Sequence, residues 1–346
     1  MPMYTLNYRL LLIALCFSSV ALLATTSSAS SQINSKKTQT ELQSLESYLQ
    51  QERLSSGLRT QNLRLGDVRW TYSEGGAKHK PTVVLLHGLT GNRDHWNGLA
   101  QFLTPHYHVI IPDLPNNGDT RVPAHFQMDI PNVTAELRTF IEHLGISEHL
   151  HLAGHSSGGS IATQYAAEYP FDTQSLFLLN SAGIYKNAFT SYTKNPDQLK
   201  QLIVSRPGDL DDVMQKVMQN PPSIPHALKI AKEKKLIARS KDYSRMVDQL
   251  TMLSRLYTPD SFARLTRSVE APTLILWGKQ DKIISADAAN ELQHLLKRAE
   301  QPVLLNNVGH VPMLEAEQLV AQHYLPFLAK TQQLKNPLQD KLIPLN

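Results

Sequence analysis

At 346 residues, 41% hydrophobic and 18% charged, the chain has the composition of a globular protein with a sizeable core, in one large domain or two modest ones. A formal net charge of +4 is too mild for a nucleic-acid surface, which concentrates Lys and Arg beside base-reading or stacking groups. With Cys16 as the single cysteine there is no intrachain disulfide to staple the fold, so stability must come from the core. Residues 1–29 read as an export signal: Arg9 supplies positive charge, Leu10–Ala24 is a 15-residue apolar run, and Ser27 and Ala29 stand like a cleavage site. The run is short of the roughly 20 residues that span a bilayer, and a retained N-terminal anchor is the competing reading. The expected destination is the periplasm or the medium, or a membrane tether if the segment stays. Cleavage would also remove Cys16, which excludes a thiol nucleophile in the mature chain.

Residues 30–57 read as a polar spacer and a helix, with Leu42, Leu45 and Leu49 at helical spacing and Gly57 as its stop. A hairpin follows: Leu63 and Leu65 alternate with polar residues, Gly66-Asp67 turns, and Val68, Trp70 and Tyr72 alternate again. Short, unbroken apolar runs come next, at Thr82–Leu86, His108–Pro112, Leu150–Ala153, Leu176–Leu179, Thr273–Trp277 and Val303–Leu305. Such runs are what parallel strands look like when helices cover both faces of a sheet. Alternating with helical stretches, they predict an α/β fold with a mostly parallel, doubly wound sheet. Reactive groups then belong at the carboxyl ends of the strands. The core occupies residues 58–183 and 269–330, with a tail at 331–346. Between them, residues 184–268 show no strand pattern but several proline-punctuated helical ones, and read as a helical lid. This interval holds 15 Lys+Arg against 8 Asp+Glu.

The chemistry concentrates at four strand ends. The run Leu150–Ala153 leads into Gly154-His155-Ser156-Ser157-Gly158, followed directly by a helical pattern. A strand that turns at once into a helix holds a serine in a strained conformation with its Oγ exposed, and the residues two before and two after it need to lack side chains. The strand Val83–Leu86 ends in His87-Gly88-Leu89, the expected source of a second oxyanion donor beside Ser157. Gly88 lets the backbone approach closely, and His87, Gly88 and His155 are the candidates for lining the substrate site. His87 lies too early in the chain to be the base of a Ser–acid–His order and is read as holding its loop by hydrogen bonds. Leu274–Trp277 delivers Asp281 past Gly278, and Val303–Leu305 is followed by Gly309-His310. Ser156, Asp281 and His310 therefore stand in the order nucleophile, acid, base. Asp287 competes with Asp281 but falls in the next helix; Asn180, at another strand end, is no carboxylate; Glu315 reads as a helix-terminus charge. No metal-binding or dinucleotide pattern is present, and no cofactor is expected.

These residues resemble the α/β-hydrolases, and within them the exported bacterial lipases and esterases of the family V type, related to monoacylglycerol lipases. The resemblance runs from about Leu58 to Ala329. It includes the His-Gly loop, Pro112-Asp113-Leu114-Pro115, the serine elbow, Ser181-Ala182-Gly183, and Pro221-Pro222 with Pro225. Trp277-Gly278 to Asp281 and Val308-Gly309-His310-Val311-Pro312-Met313 complete it. It implies a Ser156/Asp281/His310 triad, an oxyanion hole at Leu89 and Ser157, a helical lid and a lipid ester substrate. The departures are Asn116-Asn117-Gly118, where relatives often carry Gly-aromatic-Gly, and His155 and Ser157 within the elbow. The expected activity is carboxylic ester hydrolysis, foremost of acylglycerols, with the basic lid meeting a lipid interface. A short-chain esterase, a carbon–carbon hydrolase or a perhydrolase would use the same machinery. A catalytically silent binding module would be expected to lack a triad member, and a membrane-tethered scaffold would require the N-terminal segment to remain.

Overall fold

The computed structural model describes residues 38–146, 149–254 and 257–334. The expected export segment with Cys16, the spacer up to residue 37 and residues 335–346 of the tail lie outside the described residues. Helix α1 (38–55) ends as expected at Gly57, whose φ of +73° only glycine adopts without strain. Strands β1 (Leu58–Leu65) and β2 (Val68–Gly75) form the expected hairpin, with Leu65 paired to Val68 around Gly66. Six parallel strands follow: β3 (Thr82–Leu86), β4 (His108–Pro112), β5 (Leu150–His155), β6 (Thr173–Leu179), β7 (Thr273–Gly278) and β8 (Val303–Leu305). The sheet order is β1-β2-β4-β3-β5-β6-β7-β8, antiparallel only where β2 meets β1 and β4.

Period-two alternation divides each central strand between two apolar layers. Val84 and Leu86 of β3, Leu152 of β5 and Ile275 and Trp277 of β7 face one layer. There they meet Phe140 of α3 (Ile130–His143), Tyr165 of α4 (Ser157–Glu168) and Leu292 of α10 (Asp287–Leu295). Val83, Leu85, Ala153, Leu274 and Leu276 face the other, against Leu99 of α2 (Asn97–Leu103) and Tyr324 and Phe327 of α11 (Glu317–Gln332). The chain leaves β3 for β4 on one side and returns to β5 on the other, so a crevice opens at the carboxyl ends of β3 and β5.

Between β6 and β7 the described residues are helical: α5 (Ser191–Lys194), a 3₁₀ segment (Pro196–Leu202), α6 (Asp209–Val217), α7 (His226–Ile237), α8 (Ser240–Ser254) and α9 (Pro259–Arg267). Of these, α9 packs on α4 and α10 at the flank of the sheet, while residues of the 3₁₀ segment and of α6 to α8 wall the cavity above the strand ends. Helix α1 ties the two parts together. Arg53 grips Asp94 of the core through Nε at 2.6 Å and Nη2 at 2.8 Å, and Glu41 pairs with Lys234 of α7.

Candidate active site

Ser156 sits at the junction of β5 and α4 with φ of 52° and ψ of −123°, a conformation that a non-glycine residue holds only where its surroundings impose it. Three glycines make this possible. A Cβ on Gly154 would stand 2.2 Å from the Gly158 carbonyl oxygen, and one on Gly158 would stand 2.5 Å from the carbonyl oxygens of Leu86 and His87. One on Gly159 would meet Ser181 Oγ at 2.3 Å. The elbow is therefore pressed against the ends of both β3 and β6. The Ser156 N–H donates to Leu179 O at 3.2 Å and its carbonyl accepts from Ala182 N at 2.8 Å, which fixes the serine from the neighbouring strand.

His310 Nε2 lies 3.1 Å from Ser156 Oγ, and His310 Nδ1 lies 2.8 Å from Asp281 Oδ2. With Nδ1–H donated to the carboxylate, the Nε2 lone pair faces the serine hydroxyl. Asp281 is fixed on both oxygens. Oδ1 accepts from Ile283 N at 2.8 Å and Ile284 N at 3.0 Å, and Oδ2 accepts a second bond from Asn180 Nδ2 at 2.7 Å. Asp287, the sequence competitor, accepts from Ser285 Oγ at the exposed start of α10. Asn180 carries no charge, yet it also donates to Gly309 O at 3.2 Å and accepts from Gly278 N at 3.3 Å. It is fully buried with φ of 45°. Its place at a strand end is the only sequence signal for it.

His310 is anchored through its backbone as well. His310 N donates to Val217 O at 2.7 Å, and its carbonyl accepts from His155 Nε2 at 2.7 Å. His155 Nδ1, buried beside Gly88, has no hydrogen-bond partner among the described residues. Burial, and secondarily the neighbouring His310, hold the His155 pKa well below the ordinary value, so it donates as a neutral ring. Glu315 is more than a helix-terminus charge. Its carboxylate accepts from Gly309 N at 3.0 Å and Val311 N at 3.2 Å, on either side of His310. It also accepts from Gln219 N at 2.7 Å and Asn220 N at 3.1 Å, in the segment just after α6. One carboxylate thus joins the loop of His310 to the helical interval.

Of the three residues expected to line the substrate site, Gly88 and His155 line the cavity that opens on Ser156 and His87 does not. His87 is fully buried; its Nδ1–H donates to Gly88 O at 2.9 Å and its Nε2 accepts from Leu114 N at 2.9 Å. Burial lowers its pKa to about 4. Both ring nitrogens are thus committed to the loop, which leaves no polar atom for a substrate. Leu89 and Ser157 line the cavity beside Ser156, and no hydrogen bond among the described residues occupies either backbone N–H. Gly88 approaches closely enough that an added Cβ would stand 3.0 Å from Ser156 Cβ. The serine opens into a cavity of about 1090 Å³ walled by Leu202, Leu210, Val213, Met214, Val217 and Phe262, among others. Leu45, Tyr48, Leu49 and Glu52 of α1 also line it, a contribution that helical periodicity alone does not indicate.

The sequence profile described as "Alpha/beta hydrolase family" matches residues 83–322. Lipase 1 of Psychrobacter immobilis is 29% identical over 282 residues, covering 81% of this chain and 87% of that protein. A crystal structure of a candidate lipase (lip1) from Acinetobacter baumannii AYE is 53% identical, covers 83% of this chain and 96% of its own, and superposes with a TM-score of 0.82. The crystal structure of a membrane phospholipase A is 30% identical with a TM-score of 0.79, covering 93% of this chain and 99% of its own.

Proposed function

The chain belongs to the alpha/beta hydrolase family, and from that premise we propose that it is a serine carboxylic ester hydrolase, most suited to acylglycerols, working through Ser156, His310 and Asp281. The lipase character of its relatives supports a lipase or esterase activity. The observation that carries the finer reading is the continuous path from Ser156 Oγ through His310 to Asp281, at 3.1 and 2.8 Å, opening into an apolar cavity of about 1090 Å³. That volume is at the upper end of small-molecule sites and suits a long acyl chain better than an acetyl group.

In this reading His310 Nε2 takes the proton of Ser156 as Oγ attacks the ester carbonyl carbon. The oxyanion collects in front of the Leu89 and Ser157 N–H groups, where the start of α4 adds its positive end. His310 then delivers its proton to the departing alcohol oxygen, leaving an acyl ester on Ser156. Water, deprotonated by the same nitrogen, releases the carboxylic acid and restores the serine. Asp281 keeps Nδ1 protonated and stabilises the imidazolium in between. Export, by Arg9, Leu10–Ala24 and the small residues at Ser27 and Ala29, belongs to the same proposal. So does contact of the basic interval with a lipid surface, supported by the exposure of Phe189, Met252 and Tyr257.

The test is a p-nitrophenyl ester and triacylglycerol series on purified protein beside Ser156→Ala. Wild type should favour long chains, with activity rising above the solubility limit, and the variant should be inactive. Activity confined to short acyl groups would replace lipase by esterase; equal rates for both proteins would sink the serine mechanism.

A further inference from the structure

The cavity that opens on Ser156 has chemically unequal walls. The 3₁₀ segment and α6 supply aliphatic and Met side chains, while α7 and the turn after it present Leu228, Lys232, Lys235, Leu236 and Arg239 at helical spacing. The same cavity is lined by Asn92, Asp94 and His95, from the loop and short 3₁₀ turn that continue the Gly88–Leu89 strand end. An ester whose carbonyl is attacked by Ser156 extends in two directions. Its acyl chain matches the aliphatic wall, which leaves the alcohol part for the polar one.

Among the described residues four Lys and Arg side chains line this cavity, and three are committed. Lys235 pairs with Asp119 at 3.3 Å. Arg239 donates to Asn116 O at 2.8 Å and Gly118 O at 3.1 Å, and pairs with Asp242 at 3.2 Å. Lys194 lies over the Phe189 ring. Lys232 alone has no side-chain hydrogen bond, ion pair or ring contact among the described residues, and its surroundings explain why. The carboxylates that face it are Asp94, both of whose oxygens are taken by Arg53, and Glu52, one helical turn from Tyr48, whose pKa it raises. His95 also faces it, and burial lowers the His95 pKa to about 3, so the ring adds no competing charge. Burial lowers the Lys232 pKa from the ordinary lysine value, and Asp94 and Glu52 act against that fall; an amine that is costly to charge alone inside a cavity is a site for an anion brought by the ligand.

We propose that Lys232 is the anion-binding residue of the substrate pocket and takes the phosphate of an acylglycerol phosphate ester, as in a lysophospholipid, while Ser156 attacks the acyl ester. This rests on the ester-hydrolase reading above and narrows its substrate class. His95 Nδ1 sits near Gly91, where an added Cβ would meet it at 3.2 Å, so the Lys232 site lies just past the expected oxyanion loop.

The experiment compares 1-palmitoyl lysophosphatidic acid with 1-palmitoylglycerol, each as a substrate for wild type, Lys232→Met and Lys232→Arg. Methionine keeps the unbranched stem and the helix preference of the position. Loss of one charge-assisted contact should lower kcat/KM for the phosphate-bearing ester about 10- to 100-fold in Lys232→Met. Hydrolysis of the neutral ester should change less than about twofold, and Lys232→Arg should keep most of the phosphate preference. Added salt should weaken the preference in wild type and leave Lys232→Met indifferent. An equal fall on both substrates would show a packing role and overturn the proposal, as would no change on either. Wild type that cleaves the neutral ester but not the phosphate-bearing one would also overturn it, with the hydrolase reading intact. Failure of wild type on both esters, and on p-nitrophenyl esters, would remove that reading and this inference together.

Discussion

Replacing Asp281 by Asn should disable the base without disturbing the fold. The carboxylate meets four donors: the N–H groups of Ile283 and Ile284 on Oδ1, and Asn180 Nδ2 and His310 Nδ1 on Oδ2. An amide has one oxygen and can serve only one of these pairs. The backbone pair cannot turn away, whereas an imidazole can change tautomer, so the oxygen stays with Ile283 and Ile284. The amide N–H of the new side chain then points at His310, whose Nδ1 gives up its proton and becomes the acceptor. Nε2 now carries hydrogen towards Ser156 Oγ and cannot take the serine proton. The Asp281 side chain is fully enclosed, so no water can repair the pair. A base locked in the wrong tautomer costs about 10⁴-fold in kcat, equivalent to about 5.5 kcal/mol of barrier. KM should stay within about threefold, because Asp281 does not line the cavity. Steady-state hydrolysis of p-nitrophenyl butyrate, with thermal unfolding as a folding control, measures both. A folded Asp281→Asn protein that retains a tenth or more of wild-type kcat would refute the reasoning.

Asn180→Ala leaves the His310–Asp281 bond in place but strands the Gly278 N–H and the Gly309 carbonyl in full burial. About 2–3 kcal/mol of stability should go, by urea unfolding, with a fall in kcat of about tenfold rather than 10⁴-fold. Glu315→Gln should lower kcat and the unfolding temperature together, by about 2–3 kcal/mol, because a neutral amide cannot accept from the four N–H groups that hold residues 309–311 against 219–220. A variant with wild-type kcat would show that this clamp does not position the base. Stability should fall as the pH drops from about 6.5 towards 5. His87 and His151 are buried with pKa values near 4, lowered first by desolvation. The unfolded chain therefore binds protons there in a range where the folded one does not. His95 and His155, lowered likewise by burial, act in the same direction, and Asp113, which burial raises to about 6, opposes them as one group; the net of three such groups gives a slope of up to about 4.1 kcal/mol per pH unit, and urea midpoints that are flat or rising between pH 6.5 and 5 would contradict it.

The sheet was legible because each central strand is short, apolar on both faces and closed by a turn. Thr82–Leu86, His108–Pro112 and Val303–Leu305 begin and end where their composition changes. Ser156, Asp281 and His310 were legible for a related reason, since each stands just past a strand end beside a glycine, and the sheet brings those ends together. Asn180 and Glu315 were not. Their importance lies in hydrogen bonds to groups roughly 100 residues away in the chain, for which local pattern carries no signal. His87 shows the reverse case. Its position suggested a place in the pocket, but a loop that must turn under Gly88 consumes both of its ring nitrogens. The wall contributed by α1 was hidden because Leu42, Leu45 and Leu49 indicate only that the helix has an apolar face. Leu45 and Leu49 line the cavity, whereas Leu42 is exposed.

The most direct test of the account is covalent labelling with a fluorophosphonate, which reacts with a serine activated by a neighbouring base. Intact-mass and peptide mass spectrometry should find one adduct per chain, on Ser156, with ester hydrolysis falling in proportion to labelling. Ser156→Ala should take up no label. A label on another residue, or full hydrolytic activity in a chain fully modified at Ser156, would contradict the assignment of this serine as the nucleophile.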